Sequence, residues 1–198
     1  MASNKFFRVF QIFKYCIYSL LALNVYLFFA DEWTAANHLF MDGVDIMDVF
    51  QAFSASIDTA AWVVLLLLFE METYVLSDEQ VEHHRWSLHG VRFLSYFFIL
   101  LSYHGYWAKS LDLYEVSPLQ ASTACELVDH ETFYMTTLDE FEKLTLENCQ
   151  ELPAEGGFVQ LNDTDIISDA EVLSDARALA WVDVFNASLW LLIVVMLE

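Results

Sequence analysis

The chain has 198 residues, 57% hydrophobic and 16% aromatic, with a mean hydropathy of +0.41. That is more apolar surface than a soluble domain of this size hides, so lipid is expected to solvate part of it. Its 29 acidic and 8 basic side chains leave a formal charge of −21, which argues against nucleic acid and anionic headgroups as main partners. Five Gly and two Pro leave little room for disordered linkers or a loop that cradles phosphates.

Residues 1–10, with Lys5 and Arg8, read as a short terminal segment. Residues 11–30 are almost continuously apolar and aromatic, about the 20 residues that cross a hydrocarbon core, and no small-residue cleavage site follows them. They are expected to be a retained first span. A second span is expected over 49–69. A third covers 93–108, with Tyr103, Tyr106 and Trp107 as an interfacial belt. A fourth covers 179–197, its helix starting earlier at the capping-box spacing of Ser168 and Glu171. The expected fold is an all-α polytopic membrane protein of about four transmembrane helices. Residues 11–108 hold spans 1–3, 109–177 form an acidic outer loop domain, and 178–198 hold span 4. The sequence stops at Glu198, at the inner end of that span, and a continuation into further spans is compatible with this reading.

Lys and Arg near span ends orient the chain. Lys5, Arg8, Lys14, Arg85 and Arg92 lie on one side, against Lys109, Lys143 and Arg177 in longer connections on the other. By the positive-inside rule the amino terminus and residues 77–92 are cytoplasmic, while 31–48 and 109–177 are outside a plasma membrane or bacterial inner membrane.

Sixteen of the 29 carboxylates fall between Asp112 and Asp175, and that loop also holds Cys125 and Cys149. In an oxidising compartment these two are expected to form a disulfide, which stabilises by about 3 kcal/mol in the chain-entropy model. Strands are expected over 132–135 and 158–161, with a turn at Gly156 and Gly157. The Thr137/Glu140 spacing predicts a short helix through Phe141 and Leu144. The result is a small α+β cap. Membrane oxidases of the periplasmic disulfide pathway also have four spans and a cysteine pair in the second outer loop, but here the first outer loop has no cysteine to relay electrons. The layout of a small first and large second outer loop is similar to that of tetraspanins. Their Cys-Cys-Gly is absent, and no family is assigned.

Polar side chains within the spans concentrate in the outer half. At 1.5 Å per residue Asn24 lies about 9 Å below the outer boundary, Asp58 about 13 Å, Asp183 and Asn186 about 6–10 Å, and His104 about 6 Å, with Gln51 near the rim. The inner halves are nearly pure hydrocarbon. This predicts an outward-facing polar pocket above an apolar plug. Gln51, Ser54 or Ala55, Asp58 and Trp62 follow helical spacing along one stripe of the second span. Asp58 then serves either as interhelical glue, bonded to Asn186 and Ser102, or as an ion or proton ligand beside His104 or Asp183. A faint repeat relates residues 48–52 to 183–187, as a parallel duplication would.

On the cytoplasmic side Glu79, Glu82 and His83 have a spacing that can present two carboxylates and an imidazole to a metal, but with Arg85, Trp86 and Arg92 following at once a solvated interfacial turn is the stronger reading. Asn162-Asp163-Thr164 is a glycosylation sequon on the outer side. No Gly-x-Ser-x-Gly, His-Glu-x-x-His or Walker-type loop occurs, so neither catalysis nor a cofactor is expected. The leading expectation is a non-catalytic membrane subunit or interaction protein that contacts lipid and either other membrane subunits or itself. The alternative is an ion or proton channel or transporter using the intramembrane carboxylates.

Overall fold

The computed structural model describes residues 2–39, 46–119, 121, 123–128, 132–152, 157–161 and 164–197. Most of them are helical: α1 (Ala2–Leu39), α2 (Ile46–Ala52), α3 (Ser54–Glu70), α4 (Asp78–His83), α5 (Arg85–Asp112) and α6 (Ala170–Leu197). α1, α3 and α6 contain neither Gly nor Pro, so nothing in their backbone chemistry interrupts them. Among the described residues three helical stretches are long and apolar enough to cross a membrane, Arg8–Leu39, Ser54–Val75 and Ala170–Met196. α5, which holds the expected third span, has the length at 28 residues but is not among them. Its second half carries His104, Lys109 and the buried Ser102, Tyr106 and Ser110, which dilute its apolarity.

The expected second span is broken. α2 ends at Ala52 and α3 begins at Ser54, although the Phe53 amide still donates to the Val49 carbonyl at 3.0 Å. The interruption falls where α2 meets α5 backbone to backbone. A Cβ added at Gly105 would lie 2.2 Å from the Phe50 carbonyl oxygen, so only glycine permits that approach. At its other end α3 widens into one turn of π-helix over Met71–Val75. Gly156, Asn162 and Asp163 lie outside the described residues, and Gly157 has a φ of 76°, the left-handed value that suits the expected turn.

The chain divides into two compact units. The first comprises the chain up to Ala30 together with Ala55–Leu100. Here small side chains let helices approach closely, with Ser56 and Ala61 of α3 and Ser95 of α5 all buried. Lys14 of α1 forms an ion pair with Glu70 at the end of α3, and the Tyr18 hydroxyl donates to the same carboxylate at 3.1 Å. Arg92 of α5 pairs with Glu72 at 2.7 Å. α4 begins at a capping box in which Ser77 and Gln80 exchange bonds, a cap the sequence reading passed over.

The second unit comprises Asp31–Ser54 and the chain from Leu101 on, and it contains a sheet. Its strands are β1 (Val116–Pro118), β2 (Phe133–Met135), β3 (Phe141–Lys143), β4 (Phe158–Leu161) and β5 (Ile166–Asp169), in the order β1-β4-β5-β2-β3. All neighbours are antiparallel except β2 and β5, which run parallel with Phe133 opposite Ile166. Alternation along the strands builds two apolar layers. Met135, Leu161 and Ile166 face one way and meet Leu113, Leu138, Leu173 and Ala176. Tyr134, Phe158 and Ile167 face the other and meet Ala124, Leu144 and Cys149.

The strands expected over 132–135 and 158–161 are present. The short helix through Phe141 and Leu144 is not: Phe141 begins β3, which pairs with β2 as a hairpin. Thr136 closes its turn by donating both its amide (2.9 Å) and its hydroxyl (3.0 Å) to the Glu140 carbonyl, so the capping-box spacing marks a turn and not a helix start. The cap is thus a sheet with one 3₁₀ turn (Ala124–Leu127) among the described residues, rather than α+β. Cys125 and Cys149 are joined, with Cα atoms 5.0 Å apart, on the second layer.

The start of α6 also differs from expectation. The cap is Asp169, not Ser168: its Oδ1 accepts from the amides of Glu171 (2.8 Å) and Val172 (2.9 Å), while its Oδ2 accepts from the Tyr134 hydroxyl at 2.5 Å. Ser168 is fully buried and turned to the Asp169 carbonyl. Arg177, two turns further on, donates to the Leu113 carbonyl from two nitrogens (3.0 and 2.8 Å), with its guanidinium 4.4 Å from the centre of the Tyr114 ring. Trp181 donates to the Tyr114 hydroxyl at 3.1 Å and meets Trp107 edge-on. These contacts fasten α6 to the end of α5.

Candidate functional site

The polar side chains expected to converge in the membrane are divided between the two units. Asn24 and Asp58 belong to the first; Gln51, His104, Asp183 and Asn186 belong to the second. In the first unit Asp58 is half-buried and accepts a bond from Trp62 Nε1, one turn along the same helix, at 3.1 Å. Asn24 is exposed within the apolar stretch of α1. The side chains one and two turns on either side, Ile17, Leu20 and Leu27, are exposed as well. In the second unit His104 and Asn186 are exposed. Asp183 is half-buried and lies within electrostatic reach of Lys109 and Asp139.

The polar group best assembled by the fold lies elsewhere, beneath the first apolar layer of the sheet. Lys109, near the end of α5, forms an ion pair with Asp139 of the β2–β3 turn. Gln51 of α2 donates to Asp112, three residues beyond Lys109 on the same helix face. Between these pairs opens a cavity of about 400 Å³. Asp48, Gln51, Lys109, Asp112 and Glu115 are among its polar lining. Leu39, Leu113, Met135, Leu138, Phe141 and Leu161 are its apolar lining. Its walls come from α1, α2, α5, the β2–β3 hairpin and β4, all within the second unit. His38, next to Leu39, packs against Phe133 with ring centres 4.1 Å apart and planes tilted by 43°, and so seats the end of α1 against the sheet.

Gln51 is legible from the sequence, whereas its partner Asp112 and the Lys109–Asp139 pair are not. The i, i+3 spacing of Lys109 and Asp112 at the end of an apolar helix was the only local signal, and it does not identify residues 39, 48 and 161 as neighbours.

In the first unit a groove of about 450 Å³ runs along the Lys14–Glu70 pair, lined by Phe10, Phe13, Ile17, Leu66, Phe69 and Tyr74 among others. The Lys14 ammonium is 5.5 Å from the Tyr15 ring centre and 5.8 Å from that of Tyr74. Glu79, Glu82 and His83 lie on the exposed α4 turn. Glu82 is 3.7 Å from Arg85, and the His83 ring meets His84 edge-on. Among the described residues no three His, Cys, Asp or Glu side chains are gathered as a metal would require. Comparison with family models, curated proteins and solved structures finds no match for this chain.

Proposed function

We propose that this chain is a non-catalytic integral membrane interaction protein, a subunit of a larger or self-associated complex, with α1 as its docking helix. The observation that carries this is Asn24. Its carboxamide sits exposed in the middle of an 8–39 stretch apolar enough to cross the membrane, and in a bilayer lipid tails would leave its donor and acceptor unsatisfied. An amide so placed is relieved by a second helix that offers donor and acceptor at the same depth. Such interhelical bonds contribute about 1–2 kcal/mol in model systems. The exposed Ile17, Leu20 and Leu27, three or four residues apart on the flank of Asn24, supply the matching apolar contact.

In this reading α5 is a fourth span over 93–108, the amino terminus is cytoplasmic and the sheet domain lies outside. Two ion pairs support it: Lys14–Glu70 and Arg92–Glu72 hold the start of α1, the end of α3 and the start of α5 together within the first unit. From Arg92 α5 continues to Asp112, about 30 Å at 1.5 Å per residue, which matches the hydrocarbon thickness.

The test is self-association and partner capture by the full chain in mild detergent and in nanodiscs, for the wild type and for Asn24→Val. The wild type is expected to run as an oligomer or with a stoichiometric partner, and Asn24→Val to weaken that association by about tenfold. A monomeric, partnerless wild type, or a variant that associates as tightly, refutes the proposal. Membrane-impermeant maleimide tests the orientation in a Cys16→Ser background: Gln80→Cys is expected to be protected in sealed cells and Glu147→Cys to be labelled.

A further inference from the structure

We infer that the cavity beneath the sheet is a binding site for a primary alkylammonium group, a cationic head carried on a short apolar chain. The volume, about 400 Å³, is in the range of small-molecule sites. Its lining joins two chemistries. Met135, Leu138 and Leu161 are almost fully buried members of the first apolar layer. Asp48, Asp112 and Glu115 line the same cavity, and Asp112 and Glu115 are exposed.

Among the described residues the one cation in the lining is Lys109, and its ammonium is committed to Asp139. Gln51 occupies one oxygen of Asp112, which leaves the carboxylate charge itself unbalanced. The lining therefore carries net negative charge beside apolar side chains. An ammonium there gains charge-assisted hydrogen bonds, and its chain displaces water from Met135, Leu138 and Leu161. An anionic amphiphile of the same length meets like charge on entry, and the chain's overall charge of −21 adds to that discrimination.

The same chemistry is presented by a free amine and by the ethanolamine headgroup of a phospholipid. Hexylammonium chloride titrated calorimetrically into the full-length protein in detergent is expected to bind saturably, with hexanoate and hexanol binding at least tenfold more weakly. Glu115→Gln and Asp112→Asn, exposed substitutions that keep shape and hydrogen-bonding atoms, are each expected to weaken hexylammonium binding by about tenfold. Asp139→Asn serves as a further probe: it releases the Lys109 ammonium towards the cavity and is expected to weaken binding too. The inference is overturned if hexylammonium does not bind, if hexanoate binds as well, or if Glu115→Gln and Asp112→Asn leave the affinity unchanged. Repeating the titration in nanodiscs separates the sources. Competition by phosphatidylethanolamine but not phosphatidylglycerol assigns the site to a headgroup; equal affinity in both supports it as a site for a free amine.

Discussion

Asp169 joins three parts of the second unit through one carboxylate, and replacing it by alanine is the sharpest test of how the sheet and α6 are coupled. The side chain is 5% exposed and its Tyr134 partner 6%, so neither recovers its hydrogen bonds from water. Asp169→Ala removes the cap of α6, worth about 1 kcal/mol, and strands the buried Tyr134 hydroxyl, worth about 1–3 kcal/mol. Together the loss is about 3 kcal/mol, or about two orders of magnitude in an opening equilibrium. Asp169→Asn keeps an equally good capping oxygen and a neutral acceptor for the phenol, so its cost is about 1 kcal/mol. Hydrogen exchange by the amides of β2, β4 and β5 in the full-length protein reads this locally, without requiring the whole chain to unfold in one step. The reasoning fails if Asp169→Ala lowers protection of those amides by less than about fivefold, or if the asparagine variant is as damaging as the alanine one.

Tyr134 makes a second prediction, on pH. Burial, reinforced by the hydrogen bond to Asp169 and by the negative charges of Asp169 and Glu171, pushes the phenol well above its usual range. A raised folded-state value means the stabilisation is complete below the unfolded value of about 10 and is lost as pH rises beyond it. Sheet-domain stability is therefore expected to fall above that pH, and Tyr134→Phe to flatten the fall; tyrosinate absorbance together with exchange protection measures both. Gly105→Ala places a methyl group 2.2 Å from the Phe50 carbonyl oxygen and is expected to destabilise the second unit by about 3 kcal/mol. Gly90→Ala, with nothing within 4 Å and helix on both sides, is expected to stabilise by about 0.5–1 kcal/mol, and the two melting temperatures should move in opposite directions. Replacing Cys125 and Cys149 by serine is expected to cost about 3 kcal/mol. The loss of exchange protection should be greatest around Ala124, Leu144 and Phe158, which share their apolar layer.

The features legible in the sequence are those set by rules that need only one segment at a time. The long apolar stretches in α1, α3 and α6 and the aromatic β2 and β4 were evident because length and composition alone set them apart. The disulfide came from two cysteines in one acidic loop. Phe141 was misread because Thr137 and Glu140 have the same spacing whether the chain turns back or winds into a helix, and the choice is made by β2, which pairs with residues 141–143. Ser168 was misread by one position because serine and aspartate both cap, and only the buried Tyr134 hydroxyl favours the aspartate. The break at Phe53 has no glycine or proline to announce it; the glycine that accompanies it, Gly105, lies on another helix. The cavity was invisible for the same reason, since its walls come from five elements far apart in the chain. Helical counting placed Asn24, Asp58 and Asp183 by depth, but depth does not say which unit a side chain belongs to.

The position of β5 has a consequence for how the protein is made. It is the last of the five strands in chain order, yet it sits at the centre of the sheet, bonded to β4 on one side and β2 on the other. Until the ribosome has delivered residues 166–169, the β2–β3 hairpin and the β1–β4 pair have no shared partner. Asp169, which completes the strand, is also the residue that starts α6. Closure of the sheet thus waits for β5, and the residue that ends this strand is the one that caps α6, so completing the sheet and starting the helix meet at one side chain.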